Sequence, residues 1–114
     1  MGDPPERRRH PRIAVDWTVQ IDVGGKALDC RTTKISAEGI GIICDEPLPI
    51  DEVVYLSLAP PDQEPIDIYG KVVWSDVYGI GEEDKVYGIG VVFVQVSRKE
   101  SSRYDELIQS IIAT

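Results

Sequence analysis

The sequence predicts an all-β fold: a six-stranded antiparallel barrel closed by one C-terminal α-helix. Three observations predict it. Apolar and polar residues alternate strictly from Ile13 to Val23, the pattern of a half-buried strand. Further short apolar runs follow at turn-punctuated spacing, and barrel closure would remove their exposed edges. The last segment then changes period, with Tyr104, Leu107, Ile108 and Ile111 at helical spacing.

The chain has 114 residues and a formal net charge of −8. Its charge is uneven. Residues 1–12 hold Arg7, Arg8, Arg9 and Arg12 against Asp3 and Glu6, a net +2, which leaves −10 on the remainder. The segment also holds three of the eight prolines and no aliphatic residue larger than Met1. It cannot build a core, and reads as a flexible basic arm ahead of a single domain over 13–114. A body this acidic repels DNA or RNA, whose binding is dominated by phosphate neutralisation.

In the first strand, Ile13, Val15, Trp17, Val19, Ile21 and Val23 share one face. Gly24-Gly25 supplies a two-residue hairpin turn. The second strand runs from about Ala27 to Ile35, and Ser36-Ala37-Glu38-Gly39 reads as a tight turn. Ile40 to Cys44 is a third strand, broken by Asp45-Glu46-Pro47-Leu48-Pro49 because proline cannot donate to a ladder. Val53 to Ala59 is the fourth. Pro60-Pro61-Asp62-Gln63-Glu64-Pro65 is a loop. Ile66 to Ser75 is the fifth, with Ile66, Ile68, Val72 and Trp74 on one face. Asp76 to Lys85, rich in glycine and acid, reads as a loop, and Val86 to Val96 as the sixth strand. Ser97 with Glu100 makes a capping box for the helix, whose apolar stripe should dock on the barrel or on another subunit. Tyr-Gly-Ile-Gly occurs at 78–81 and 87–90; two copies are too few for a solenoid.

No catalytic constellation emerges. The only histidine, His10, lies in the arm, whereas a catalytic base must be held beside its nucleophile. Cys30 and Cys44 show no zinc spacing. They read most simply as two buried free thiols, with a disulfide as the alternative. Glu82-Glu83-Asp84 lacks the ligand pattern of a calcium loop and reads as a solvated loop. Gly88-Ile89-Gly90 opens no helix and is not a dinucleotide fingerprint. The N-terminus lacks a signal peptide's apolar core, and no apolar run approaches the roughly 20 residues that span a bilayer. A non-enzymatic, cytoplasmic binding module without a metal or cofactor is the expectation.

The arm is the strongest binding candidate. Arginine's planar fork grips phosphate and stacks on bases. By composition alone, the arm reads equally as a basic tail without a partner or as a membrane-surface patch. Here the residues resemble a known family. Arg8-Arg9-His10-Pro11-Arg12 matches the RxxxR motif of PilZ domains, and Lys34-Ile35-Ser36-Ala37-Glu38-Gly39 lies where that family carries [D/N]xSxxG. The Val72-Val73-Trp74 strand, the Tyr87–Phe93 strand and the closing helix are also similar, over roughly residues 6–112.

The resemblance implies a six-stranded barrel that binds cyclic di-GMP, often as an intercalated pair, and signals to an effector protein. It gives phosphate and guanine contacts to Arg8 and Arg12, assisted by Arg7 or Arg9. It sets Ser36 and Gly39 in the opposite wall, Ser36 as a hydroxyl donor and Gly39 as a residue of unusual backbone conformation. Lys34 departs from the pattern: it only donates where Asp or Asn accepts from guanine N–H groups. That substitution supports an alternative, an adaptor that binds protein and no nucleotide.

Overall fold

A computed structural model describes residues 12–80 and 85–112, the side chains of 78–80 and 85 excepted. Seven strands and one helix follow in order: β1 (Ile13–Ala14), β2 (Thr18–Val23), β3 (Lys26–Ile35), β4 (Gly39–Cys44), β5 (Val53–Ala59), β6 (Ile66–Ile80), β7 (Lys85–Gln95) and α1 (Arg98–Ile112). The sheet runs β1-β3-β2-β5-β6-β7-β4, and β3 pairs with β4 to close it. Six strands thus form the antiparallel barrel, and β1 is an additional short strand on β3.

The inward residues of the strands make the core. Val19, Ile21, Leu56, Leu58, Ile66, Val72 and Ile89 are each fully buried. Burying such a side chain contributes about 1.5–3 kcal/mol, so this row outweighs any surface pair. Gly24 and Gly25 make the β2–β3 hairpin with φ of +56° and +84°, as a tight two-residue turn requires.

The first strand is not continuous, although its alternation of buried and exposed residues holds. Against β3, Ala14 pairs with Lys34 but Thr18 pairs with Arg31. Three residues, 15–17, therefore oppose two, which is a bulge. Thr32 accommodates it. Its hydroxyl, in a residue only 2% exposed, accepts from Trp17 N at 2.8 Å and donates to Val15 O at 2.6 Å. Its own amide donates to Trp17 O at 2.8 Å. A buried hydroxyl thus satisfies backbone groups that the ladder abandons.

Cys30 and Cys44 are joined by a disulfide, with Cα atoms 4.9 Å apart, correcting the free-thiol reading. They face each other one step beyond the Arg31–Ile43 pair of the β3–β4 ladder, a proximity that sequence spacing does not reveal.

The expected loop from Asp76 to Lys85 is also corrected. β6 and β7 extend as a long hairpin in which Val77 pairs with Tyr87 and Ile80 with Lys85. Glycine and acid content suggested a loop, but cross-strand pairing takes up the backbone groups on both sides. The start of the first Tyr-Gly-Ile-Gly copy is therefore strand; Glu82-Glu83-Asp84 lies outside the described residues.

Helix α1 starts with half a capping box. Glu100 N donates to Ser97 Oγ at 3.1 Å, while the Glu100 carboxylate turns to Arg103 and to Asp67 N. Arg103 also donates to the carbonyls of Glu64 and Pro65, seating the helix on the β5–β6 loop. Tyr104 and Ile108 are buried, and Leu107 and Ile111 pack beside them, so the stripe docks on the barrel. Within the described residues no helix is long and apolar enough to cross a membrane.

Candidate functional site

A row of residues crosses four strands on the barrel's outer surface. Lys34 pairs with Gly41, Gly41 with Gly90, and Gly90 with Trp74. Adjacent strands lie ~4.8 Å apart, so the backbones of Lys34 and Trp74 stand roughly 14 Å apart. The two central positions carry no side chain. The result is a glycine-floored trough with a cationic wall and an aromatic wall, and a cavity of about 490 Å³ occupies it.

Lys34 of β3 makes the cationic wall, and β1 brings Arg12 beside it. Ile13 pairs with Ile35, and the next step in that register sets Arg12 abreast of Ser36. Arg12, Lys34, Ser36 and Gly39 all line the cavity. The second-motif residues are therefore brought together with the last arginine of the arm. Arg7, Arg8 and Arg9, and His10 with them, lie outside the described residues.

The aromatic wall is Trp74, which the alternation of β6 placed among inward residues. The β6–β7 register shifts between Val72 and Trp74, and this irregularity turns the indole out: Val72 is fully buried while Trp74 is 49% exposed. A Cβ on Gly90 would overlap the indole ring, so one ring face lies against bare backbone there. An isolated glycine inside a strand is the one sequence signal of such close approach.

The turn between β3 and β4 forms one end of the trough. Ser36 N donates to Gly39 O at 2.9 Å, and Phe93 N donates to Glu38 O at 2.8 Å. The Ser36 hydroxyl donates to Gly39 O and accepts from Glu38 N, both at 3.3 Å. In this structure Ser36 thus spends its hydroxyl proton inside the turn and shapes it. Tyr104 OH donates to Ser36 O at 2.5 Å, and burial pushes the Tyr104 phenol pKa up, so the hydroxyl keeps its proton at neutral pH.

Gly39 is required for a different reason than a special backbone angle. Positive φ among the described glycines is confined to Gly24 and Gly25. A Cβ on Gly39 would run into Val91 O and crowd Val92 Cα, so glycine lets β4 and β7 approach closely. Among the described residues no group of three or more His, Cys, Asp or Glu side chains is placed to hold a metal ion.

The sequence matches the PilZ domain family over residues 6–112, and the chain belongs to that family. No curated protein matches it. Among solved structures, it is similar to the PilZ domain of YcgR from Escherichia coli with c-di-GMP, at 15% identity and a TM-score of 0.73, over 91% of this chain and 90% of that one. It is also similar to the Klebsiella pneumoniae MrkH–c-di-GMP complex, at 21% identity and TM-score 0.77, over 94% of this chain and 53% of that chain. A third is the Bacillus subtilis inhibitor of motility, at 19% identity and TM-score 0.71, over 94% and 50%. The chain spans about half the length of these last two proteins.

Proposed function

We propose that this PilZ domain is a cyclic di-GMP receptor that binds the nucleotide in the glycine-floored trough. The observation that carries this reading is the convergence of Arg12 and Trp74 on one cavity, a phosphate ligand and a stacking surface facing each other across bare backbone. Arg12 grips phosphate, and a guanine lies on the exposed indole face. The arm, with Arg7, Arg8 and Arg9, closes over the ligand, taken as a single nucleotide or an intercalated pair. The volume of about 490 Å³ falls in the ~300–1,000 Å³ range of small-molecule sites. The similar YcgR and MrkH structures that contain c-di-GMP support the ligand class.

Ordering a segment on binding costs ~2–5 kcal/mol, and charge-assisted hydrogen bonds contribute ~1.5–3 kcal/mol each. Three or four arginine contacts therefore suffice. The expected result is that Arg12→Ala weakens cyclic di-GMP binding at least tenfold, a loss of ~1.4 kcal/mol, with the free protein's melting temperature unchanged. Calorimetric titration decides it; an Arg12→Ala protein that binds like the wild type removes the phosphate role.

Lys34 adds a second expectation. It stands exposed in the cavity wall, where it cannot accept from a guanine N–H, and an unpaired donor in a partly desolvated site costs ~1–3 kcal/mol. Lys34→Asp should restore an acceptor and tighten binding about tenfold, with Lys34→Ala close to wild type. Loss of binding in Lys34→Asp would instead make the lysine a phosphate ligand.

The bound surface is read by an effector protein. Tyr69, Val73, Val92 and Val94 are exposed on β6 and β7, Val73 and Val92 within the trough lining itself, and together they offer an apolar surface. The same face and Lys34 favour the second reading, an adaptor that binds protein alone. Absence of binding by wild type and all three variants would leave that reading standing.

A further inference from the structure

The turn that ends the trough is held by groups that do not line it. Tyr104 lies on the buried stripe of α1, 68 residues beyond Ser36, and donates its hydroxyl to the Ser36 carbonyl at 2.5 Å. Its ring meets Phe93 edge-on, with centroids 5.2 Å apart and planes at 83°. Phe93 in turn donates its amide to Glu38 O at 2.8 Å. The helix and β7 therefore grip the two sides of the 36–39 turn as one unit. The tyrosine is 3% exposed, and it is absent from the cavity lining, so it cannot meet the ligand directly.

We infer that Tyr104 is a positioning residue for the nucleotide site: its hydroxyl fixes the Ser36 carbonyl, and so couples the seating of α1 on the barrel to ligand occupancy. This rests on the cyclic di-GMP reading given above. The physical ground is the directionality of the bond. Phenylalanine would fill the same volume and keep the contact with Phe93, yet it would leave the Ser36 carbonyl without that donor. The turn carries Ser36 and Gly39, and Arg12 lies abreast of it, so a shifted Ser36 carbonyl moves the wall against which the ligand rests. Linkage makes the effect reciprocal: if the seated helix favours the ligand, the ligand favours the seated helix by the same factor. A partner that lifts α1 would then release the nucleotide.

The test uses the full chain as wild type, Tyr104→Phe and Ile108→Val. The last removes a methyl group from the same buried stripe and leaves the hydroxyl in place. Calorimetric titration of cyclic di-GMP should show Tyr104→Phe weakened by about five- to tenfold, the lower part of the usual range of site-to-site coupling. Ile108→Val should stay within about twofold, because it keeps the Tyr104 hydroxyl and its bond to the Ser36 carbonyl. Amide hydrogen exchange supplies a reading that needs no ligand. The Ser36 and Phe93 amides, bonded to Gly39 O and Glu38 O, should exchange faster in Tyr104→Phe than in Ile108→Val. Saturating cyclic di-GMP should slow exchange across Tyr104 to Ile108 in the wild type, and do so less in Tyr104→Phe.

Equal affinities for Tyr104→Phe and the wild type overturn the inference. So does an equal loss in Ile108→Val, which would mark the tyrosine as a stability residue only. If the wild type takes no cyclic di-GMP, the receptor reading falls and the coupling to occupancy falls with it, while the ligand-free exchange of Ser36 and Phe93 still decides whether Tyr104 holds the turn.

Discussion

Trp74→Ala is expected to lower cyclic di-GMP affinity by about 10- to 100-fold while moving the melting temperature by only a few degrees. Stacking of a base on an aromatic side chain contributes ~1–3 kcal/mol, and each 1.4 kcal/mol is a factor of about ten in the dissociation constant. The indole is placed to supply it: one face covers Gly90, and the residue is 49% exposed beside the cavity. The stability cost is limited because about half of the residue's surface is already in water. Trp74→Phe should recover most of the affinity, since it keeps a π-face at the same place. Calorimetric titration of the three proteins checks the series, with melting curves as the control for folding. Unchanged affinity in Trp74→Ala would show that the base does not stack there, and would leave the trough without its aromatic wall. Gly90→Ala offers an independent route to the same end, because its Cβ would displace the ring.

The second large effect falls on stability. Gly39→Ala should cost ~3 kcal/mol or more, the upper end for overpacking, and lower the melting temperature by roughly 10 °C. The added methyl meets Val91 O and Val92 Cα. Both are backbone atoms of a strand paired on its two sides, by β4 and β6, so no side chain can rotate away to relieve the overlap. Instead β4 must part from β7 at the Gly39–Val92 pair, and the 36–39 turn must move with it. Cyclic di-GMP affinity should therefore fall in the same variant. Gly25→Ala is the contrasting case: nothing lies within 4 Å of its Cβ, and only its φ of +84° resists the change. A chemical denaturation midpoint for each protein separates the two. A Gly39→Ala protein as stable as Gly25→Ala would mean that the strands can part freely and that Gly39 is not the barrel's tight point.

These two residues also show what the chain alone could tell. Gly39 was legible as part of a motif, but its reason was not. Sequence suggested backbone freedom, whereas the cause is the approach of β7, more than fifty residues away. Trp74 was read by its alternation with Ile66, Ile68 and Val72, and alternation fails at a bulge. A bulge is set by how two strands meet, and neither strand encodes it by itself. The same holds for Thr32, whose hydroxyl turned out to carry the break between β1 and β2, and for Cys30 and Cys44, which meet across a ladder. Helical spacing puts Tyr104 on the buried stripe, yet its hydroxyl's partner, the Ser36 carbonyl 68 residues earlier, has no local signature.

By itself, the sequence determined what depends on neighbours along the chain. Period-two alternation from Ile13 to Val23 set which side chains face inward, Gly24-Gly25 set a hairpin, Ser97 set a helix start, and 3.6-residue spacing set the stripe that α1 buries. Two short motifs in order were enough to point to the PilZ family. Tertiary structure alone decided register, bulges and close approaches, because each is an agreement between segments distant in sequence. The trough is of that kind. Its floor is two glycines from different strands, its walls come from β3 and β6, and β1 brings Arg12 to it only by pairing with Ile35. Residue type and spacing report one strand's preferences, whereas a surface site of this sort is written across four.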